Sequence, residues 1–567
     1  MSSHTASTSS PVSPSTTADE RLIATSVLVI GTGGAGLRAA IELAEQGVQV
    51  LAVGKRRAHD AHTSLAAGGI NAALGTIDPE DSWQQHAADT LRESYFLARE
   101  ADGRLSQRFF GAHTYRRTCY AGDYTGLEIQ RTLMRRAAEL GVPVIDTVYI
   151  TRLLVADGTI FGAYGFDVVT GQGVQIHADA VILAAGGHTR IWRVTSSRRD
   201  ENTGDSFRLA ALAGARIRDA ELVQFHPSDL LEPDDAAGTL VSEAARGEGG
   251  VLRNAEGERF MERYDPERME LSTRDRVALA NHTEIAEGRG TANGGVHLDV
   301  SHLPREQILA KLPRVYRTLI DLQMLDITTT PIEIAPTAHY SMGGVWVRPE
   351  DHGTGVEGLF AIGEASSGLP GANRLGGNSL IELLVYGRIT GQVAAAFAAG
   401  RTSVRRDPEA VAEARAEQAA LLTGDGMEVP RRLQREVRDL MTAHAGVVRD
   451  DSGLRKGLEK LALLEERATR VTAHPDVAGF DDLVHAFDLR GSLLAARATL
   501  ECALERRETR GCHNRSDFPD QDPALRGSMV WTPRTGVEFE PVGPAPDSFR
   551  DLAAEHLDDT PRGKLVE

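Results

Sequence analysis

Cysteine is scarce in this chain: its three thiols, Cys119, Cys502 and Cys512, are far apart and never in C-x-x-C spacing. Thiols so widely scattered cannot by themselves ligate an iron–sulfur cluster, and they provide no disulfide framework. We therefore expect a reduced, cytosolic protein, and the sequence predicts no metal site of its own.

Positive charge and long apolar runs are also in short supply. The chain has 62 Lys and Arg against 80 Asp and Glu, a formal net charge of −18, which makes nucleic acid an unfavourable partner. No apolar run approaches the about 18 residues that a membrane span needs. Residues 1–22 are rich in Ser, Thr and Pro and lack the apolar core of a signal peptide, so they are predicted to be a disordered tail.

Glycine, by contrast, is abundant, with 57 residues, and the most informative glycines form one turn. An apolar run at 27–30 predicts a buried strand, and after the turn apolar residues recur at helical spacing until Gly47. Glycines between a strand and a helix let the backbone approach a pyrophosphate, which the helix N-terminus attracts. The residues predicted to bind it are Gly31, Gly33, Gly34 and Gly36.

The second strand of this unit, at 48–53, is followed by Gly54 and Lys55 and not by the acidic residue that binds the ribose in an NAD site. This difference disfavours a nicotinamide cofactor. Shortly afterwards His62 precedes a loop of small residues and glycines. That pattern indicates a flavin ring close to the loop and leaves open a covalent bond from His62 to the flavin.

Three later segments point to the same cofactor. An apolar strand at 180–187 ends in glycines, a second at 358–364 ends in Gly-Glu, and a glycine-rich loop at 371–380 opens a helix. Segments so distant in sequence suit a single discontinuous FAD-binding domain. The residues between them then form an inserted domain, and a substrate cleft is expected where the two domains meet.

The composition changes after about residue 391, where Ala, Arg, Glu and Leu become frequent. Leucines at 454, 458, 461 and 464 have the spacing of an amphipathic helix, whereas the last sixty or so residues are rich in proline. The predicted domains are a FAD-binding domain at 23–219 and 336–395, a capping domain at 220–335, a helical domain at 396–508 and an irregular C-terminal tail at 509–567.

Several side chains outside the glycine-rich segments could carry chemistry. Two arginines and two histidines that converged would suit a small dicarboxylate, because a guanidinium pairs with a carboxylate through two hydrogen bonds. Taken singly, His226 before a proline could be a structural histidine, and Arg274 could belong to a surface ion-pair cluster. The candidates are His226, Ser242, Glu243, Arg246, Arg274, His339 and Arg374.

These motifs resemble the flavoprotein subunits of succinate dehydrogenase and fumarate reductase, from about Val27 to Gln392 and again near the C-terminus. The segments that carry the resemblance are 61–74, 224–227, 246–250, 257–264, 339–344, 371–380 and 510–519. It implies an α/β fold, with a Rossmann-like discontinuous FAD-binding domain, an inserted α+β capping domain and a C-terminal helical domain.

The resemblance also implies roles for individual residues. His62 matches the histidine that bears the flavin on its 8α-methyl group. Arg274 matches the residue that exchanges a proton with the substrate carbon, with Glu243 and Arg246 relaying it. The residues that match carboxylate ligands are His226, Ser242, His339 and Arg374. Besides the glycine turn, the predicted FAD-binding residues are Lys55, His62, Thr63, Gly68, Gly69, Asp205, Glu364, Ser379 and Leu380.

Electrons must leave such a chain through partners, because it has no cluster ligands of its own. The resemblance implies a quinone-binding membrane anchor and an iron–sulfur subunit, which would place the protein peripherally on the inner face of the cell membrane.

The sequence departs from the family pattern in three places. A helical segment is missing near residues 98–103, Pro370 replaces a histidine, and Ala245 replaces a cysteine. Two other activities stay open, L-aspartate oxidase and soluble fumarate reductase, although His62 argues against the oxidase. A flavin-poor, non-catalytic subunit is a third alternative, because the missing segment lies in the FAD-binding domain.

Overall fold

The computed structural model describes residues 20–67, 69–71, 73–74, 82, 98–99, 105–106, 118–121, 124–476 and 479–543. Gly68 and most of the predicted N-terminal tail lie outside the described residues. So does the shortened junction near 98–103, except for the two-residue strand Ala98–Arg99.

The described part of the chain forms an α/β fold, as predicted. Its helices are α1 (Gly34–Glu45), α2 (Thr125–Glu139), α3 (Asp205–Leu212), α4 (Ala244–Gly247), α5 (Met261–Tyr264), α6 (Arg274–Ala286), α7 (Arg305–Lys311), α8 (Pro313–Gln323), α9 (Asn378–Gly400), α10 (Pro408–Thr423), α11 (Pro430–His444), α12 (Asp451–Ala468) and α13 (Asp481–Glu505). Its strands are β1 (Arg21–Ile30), β2 (Val50–Val53), β3 (Ile70–Asn71), β4 (Ala98–Arg99), β5 (Leu105–Ser106), β6 (Thr118–Cys119), β7 (Val144–Ile145), β8 (Val148–Ala156), β9 (Thr159–Asp167), β10 (Gly173–Leu183), β11 (Ile217–Arg218), β12 (Val223–Leu230), β13 (Val251–Arg253), β14 (Val296–Asp299), β15 (Ile332–Ser341), β16 (Gly344–Val345), β17 (Leu359–Ala361), β18 (Val448–Arg449), β19 (Asn514–Arg515), β20 (Gly527–Thr532) and β21 (Gly536–Pro541).

The largest sheet has the order β7-β2-β1-β10-β9-β8, and β17 also pairs with β10. Strands β2, β1, β10 and β17 are parallel, so their carboxyl ends meet at one edge. Val27 and Val29 of β1 pack in one core cluster and Leu28 and Ile30 in another. Both faces of the strand are therefore buried, which explains its continuous apolar run.

Several strand boundaries in this sheet differ from the predictions, among them the starts of β1 and β2. Strand β1 begins at Arg21, inside the segment predicted to be a disordered tail, and β2 begins at Val50 and not at Val48. Pairing explains the first difference, because Arg21 lies opposite Val174 at the end of the β1–β10 ladder. Main-chain hydrogen bonds to a neighbour thus extend a strand beyond its apolar core.

The inserted region is built on an antiparallel sheet of order β12-β15-β14-β13. Its core cluster contains residues of β12, β13, β14, β15 and several helices between them. Strand β15 continues to Ser341, past the predicted domain boundary at 335. Because β12 and β15 pair antiparallel with His226 opposite Thr337, they bring His226 and His339 close together.

The helical region is as its leucine spacing indicated. Helix α12 buries Leu454, Leu461 and Leu464. The segment after it does not form an irregular tail throughout, which is a correction. Strands β20 and β21 form a hairpin, and β20 also pairs with β11. Met529 and Trp531 of β20 are buried in the largest core cluster, and the prolines that suggested irregular structure lie mainly outside the hairpin.

Helix α9 corrects the expectation about membrane spans. By length and composition it is apolar enough to cross a membrane, the one such helix among the described residues. It packs against α1, since Gly387 and Gly391 let it approach so closely that a Cβ would lie 3.0 and 3.1 Å from carbonyl oxygens of α1. Its first turn points to the cavity described next.

Candidate active site

A cavity of about 660 Å³ runs from the carboxyl edge of the parallel sheet to the inserted antiparallel sheet. Most of the residues predicted from the sequence line it, although they come from widely separated segments. Those that line the cavity are Gly31, Gly33, Gly34, Lys55, His62, Thr63, Gly69, Asp205, His226, Ser242, Glu243, Arg274, His339, Glu364, Arg374, Ser379 and Leu380. Gly36 and Arg246, also predicted, are described residues that lie behind this lining.

One end of the cavity is made of backbone. Gly31 has φ +112°, and a Cβ on it would lie 2.1 Å from the carbonyl oxygen of Ala184. A Cβ on Gly36 would lie 1.9 Å from the Gly31 oxygen. Positions 31 and 36 therefore require glycine. Gly33 is the N-cap residue of α1 and places no side chain over the helix N-terminus. This glycine-rich helix N-terminus lies on the cavity wall, where the Gly34 N–H donates to the Thr63 hydroxyl at 3.0 Å, and it fits a diphosphate.

Lys55, two residues after β2, forms ion pairs with two carboxylates inside the protein. Its Nζ lies 2.7 Å from Asp205 and 3.0 Å from Asp488, and Tyr149 Oη lies within hydrogen-bond distance, 2.9 Å, of both carboxylates. Burial lowers the pKa of Lys55, but the two carboxylates raise it above its usual value. Asp488 belongs to α13, so the helical region reaches the wall of the cavity; no sequence signal indicated this residue.

His62 is held by an acidic partner that sequence reasoning missed. Its Nδ1 lies 2.7 Å from Oε1 of Glu201, and 28% of the His62 side chain is exposed. Burial lowers the pKa of His62, but the charge of Glu201 more than offsets it, so the pKa is raised. Burial disfavours the charged form of Glu201 and so raises its pKa, but His62 and Arg56 lower that pKa to about 2.

Glu364, Ser379 and Leu380 lie between the two ends of the cavity. Oε1 of Glu364 accepts a hydrogen bond of 3.0 Å from the Ser341 N–H, and burial raises the pKa of this carboxyl. Ser379 and Leu380 stand in the first turn of α9, which begins after Gly377 with φ +79°. A second helix N-terminus thus faces the cavity.

The other end of the cavity is lined by charged and imidazole side chains. The rings of His226 and His339 are 5.0 Å apart. His226 Nδ1 lies 2.6 Å from Asp229, and His339 Nδ1 lies 2.8 Å from the Ser196 hydroxyl. Burial lowers the pKa of both histidines, so both are neutral at pH 7 and can donate hydrogen bonds without charge.

Arg274, Glu243 and Arg246 form a buried chain of charges. Arg274 contacts Glu243 Oε2 at 2.6 and 2.8 Å, and Arg246 lies 3.5 Å from Glu243 Oε1. Burial raises the pKa of Glu243, but the two guanidiniums hold it well below its usual range. Arg274 is 6% exposed, so it does not belong to a surface ion-pair cluster. His226, 1% exposed, is buried and hydrogen-bonded like a structural histidine and also lines the cavity.

Gln224 joins the two cavity arginines and was not among the predicted site residues. Its Oε1 accepts hydrogen bonds of 3.1 Å from both Arg274 and Arg374. The Arg374 guanidinium lies 3.8 Å from the Tyr340 ring centroid, and burial lowers its pKa to about 10. The loop after Pro370 therefore still delivers Arg374 to the cavity. Gln224 stands in the motif quoted for the family, which was the only available signal.

Comparisons with known proteins agree with this geometry. The family description FAD binding domain matches residues 26–102 and 95–380, and Fumarate reductase flavoprotein C-term matches residues 434–546. The chain is 41% identical over 543 residues to a fumarate reductase (CoM/CoB) subunit of Methanothermobacter marburgensis, covering 90% of this chain and 98% of that protein. It is 34% identical over 584 residues to the succinate dehydrogenase flavoprotein subunit of Rickettsia conorii, covering 94% and 96%.

Solved structures are similar over nearly the whole length. Mycobacterium smegmatis Sdh1 in complex with UQ1 aligns with a TM-score of 0.84 at 36% identity, covering 96% of this chain and 98% of that chain. The FrdA chain of E. coli quinol fumarate reductase aligns with a TM-score of 0.87 at 30% identity, covering 93% and 98%. The glycine cradle and the two helix N-termini fit FAD, and the chain belongs to the family of succinate dehydrogenase and fumarate reductase flavoprotein subunits.

Proposed function

We propose that this protein interconverts succinate and fumarate on FAD bonded covalently to His62. It hands electrons to an iron–sulfur partner subunit, and through that partner to a quinone-binding membrane anchor on the inner face of the cell membrane. The observation that carries the proposal is the convergence of Arg274 and Arg374 on Gln224, beside two neutral histidines, in the cavity whose other end is the glycine cradle.

The substrate end suits a dianion with two carboxylates. Arg374 is fixed by Gln224 and by the Tyr340 ring, so it can bind one carboxylate without reorganising. His226 and His339 can donate to carboxylate oxygens, and Ser242 adds a hydroxyl to the same wall. Binding both carboxylates of a small substrate fixes its central carbons. Positioning of this kind lowers the reaction barrier by roughly several kcal/mol.

Proton transfer falls to the buried charge chain. Arg274 exchanges a proton with a substrate carbon, although a free guanidinium, with a pKa above about 12, is a poor base in water. Contact with Glu243 at 2.6 Å gives that proton an adjacent acceptor, and Arg246 continues the path behind it. FAD, when bound, supplies the hydride acceptor or donor at N5.

Names of the relatives support both directions of the reaction and a multi-subunit setting. The Methanothermobacter marburgensis relative is named as a subunit of a fumarate reductase, and the Rickettsia conorii relative as a flavoprotein subunit of a succinate dehydrogenase. The acidic His62 partner and the closely packed glycine cradle also favour a flavin-bearing subunit over a flavin-poor one.

Activity of the purified full chain tests the proposal. We expect a yellow protein that reduces fumarate with a reduced viologen dye and oxidises succinate with an artificial acceptor. Oxidation of L-aspartate in place of succinate would instead assign the protein to the L-aspartate oxidases. A colourless protein inactive with both substrates would support the non-catalytic alternative.

A further inference from the structure

The contact between His62 and Glu201 has no part in the roles described so far. Its 2.7 Å separation joins Nδ1 of the imidazole to Oε1 of the carboxylate, on the wall of the cavity. Nε2 lies on the opposite edge of the same ring, away from this contact. The pair therefore distinguishes the two ring nitrogens of the residue proposed to carry the flavin.

Glu201 is itself held firmly, so its position is not set by His62 alone. The N–H of Arg198 donates to Oε1 at 2.7 Å, and Arg56 donates to Oε2 at 3.0 Å. Glu201 is 7% exposed, and these donors occupy both of its oxygens. The carboxylate is thus fixed before a cofactor arrives.

The pKa of His62 is raised, so Nε2 becomes reactive only when the imidazolium loses a proton, and the fixed carboxylate at Nδ1 selects which tautomer then results. A carboxylate accepts hydrogen bonds and cannot donate one, so the ring proton sits on Nδ1. The lone pair then sits on Nε2, the nitrogen able to form a bond to carbon. An acidic residue that orients a reactive imidazole in this way is a general device of enzyme sites.

We propose that Glu201 is a positioning residue for cofactor attachment: it holds His62 with the proton on Nδ1, so that Nε2 bonds to the 8α carbon of the flavin. This inference rests on the proposed covalent link at His62 and names the residue that makes the link efficient.

Attachment of the flavin to His62 is an oxidation, and its oxidant is fumarate or dioxygen. One C–N bond forms between Nε2 and the 8α carbon, while one C–H bond of the methyl group and one N–H bond of the imidazole break. Two protons and two electrons are released overall. Fumarate takes up the two protons and two electrons and becomes succinate, or dioxygen takes them up and becomes hydrogen peroxide.

Glutamine at 201 cannot reproduce the arrangement. With its oxygen towards Arg56, its NH₂ group would face both the Arg198 N–H and Nδ1 of His62, which forces His62 into the opposite tautomer. With its oxygen towards His62, the NH₂ group would face the donor on Arg56. Glu201→Gln therefore removes the carboxylate while keeping the size of the side chain.

The test is the ratio of covalent to total bound flavin in the full-length protein after incubation with saturating FAD and fumarate. Covalent flavin is measured as fluorescence of the denatured band, and total flavin as absorbance of the native protein. We expect this ratio to fall at least tenfold in Glu201→Gln and Glu201→Ala, with total flavin unchanged. Asp200→Asn is the matched control, because Asp200 also contacts Arg56 but is half exposed, and its ratio should equal that of the wild type.

Each contrary outcome has a distinct meaning. An unchanged ratio in both Glu201 variants, with fluorescence lost only in His62→Ala, would overturn the role of Glu201 and leave the link at His62 intact. Loss of total flavin together with covalent flavin would make Glu201 a cofactor-binding residue, which also overturns the inference. Wild-type protein without covalent flavin would overturn the link itself, while dicarboxylate turnover would still be judged separately by the activity assays.

Discussion

The proposed cofactor end and the proposed substrate end of the cavity are built in different ways. The cofactor end is backbone: a turn of glycines between one strand and one helix, contiguous over residues 31–36. The substrate end is side chains: Gln224, Arg274 and Arg374 meet there from a strand, a helix and a loop. The first depends on local conformation and close packing, and the second on the tertiary placement of charges. Substitutions should therefore fail in different ways at the two ends.

The largest effect is expected at the substrate end. Arg274→Gln should lower kcat for fumarate reduction about 10³-fold or more, because it removes the proposed proton donor and leaves Glu243 without its closest cation. Flavin content should not change. Steady-state kinetics with absorbance of the bound flavin measure both quantities. Arg276→Gln, two residues along the same helix and outside the cavity lining, is the control; a similar loss there would show that the helix, and not the guanidinium, is at fault.

At the cofactor end we expect loss of binding and not of turnover alone. Gly31→Ala should reduce flavin content at least tenfold, since its Cβ would lie 2.1 Å from a carbonyl oxygen. Gly47→Ala has φ +72° but nothing within 4 Å of the new Cβ, so it should cost only about 1 kcal/mol and keep its flavin. Flavin absorbance per chain decides between them. Normal flavin in Gly31→Ala would remove the backbone cradle from the comparison.

Gln224 sharpens the comparison, because it is uncharged yet organises the charged end. Gln224→Met should lower kcat/KM for fumarate by about 10- to 100-fold, as it removes the acceptor shared by two guanidiniums. Gln434→Met, at another buried glutamine but in α11, controls for the cost of changing a buried amide. An unchanged kcat/KM in Gln224→Met would mean that each arginine holds its own position.

The smallest expected difference is between substitutions of the two carboxylates that contact Lys55. Burial raises the pKa of both carboxyls and Lys55 lowers both, because its Nζ lies 2.7 Å from Asp205 and 3.0 Å from Asp488. Asp205 is therefore the nearer counterion of Lys55, and Asp488 is the second. Asp205→Asn should cost about 3 kcal/mol and Asp488→Asn about 1 kcal/mol or less. Thermal unfolding followed by flavin fluorescence ranks them; equal losses would contradict this assignment.

Local patterns in the sequence predicted the backbone structure of the proposed cofactor end. The strand–turn–helix around Gly31 needs no distant residue to be recognised, and the leucine spacing of α12 likewise gave a correct helix. The substrate residues were named through family motifs, since no local pattern brings Arg274 to Arg374. Glu201 and Asp488 escaped prediction because each acts through tertiary contacts that no local pattern in the sequence announces. The hairpin of β20 and β21 was missed because flanking prolines outweighed a short buried strand.

Through the ion pair between Lys55 and Asp488, the helical region contributes directly to the proposed cofactor site. A fragment that ended before α13 would leave Tyr149, Thr203 and Lys55 facing a gap where a carboxylate now stands. The chain therefore cannot be divided into an independently loadable flavin module and a separate helical module. Any event that loosens α13, whether heat, proteolysis or a partner binding to the helices, should be felt directly as weaker retention of the cofactor.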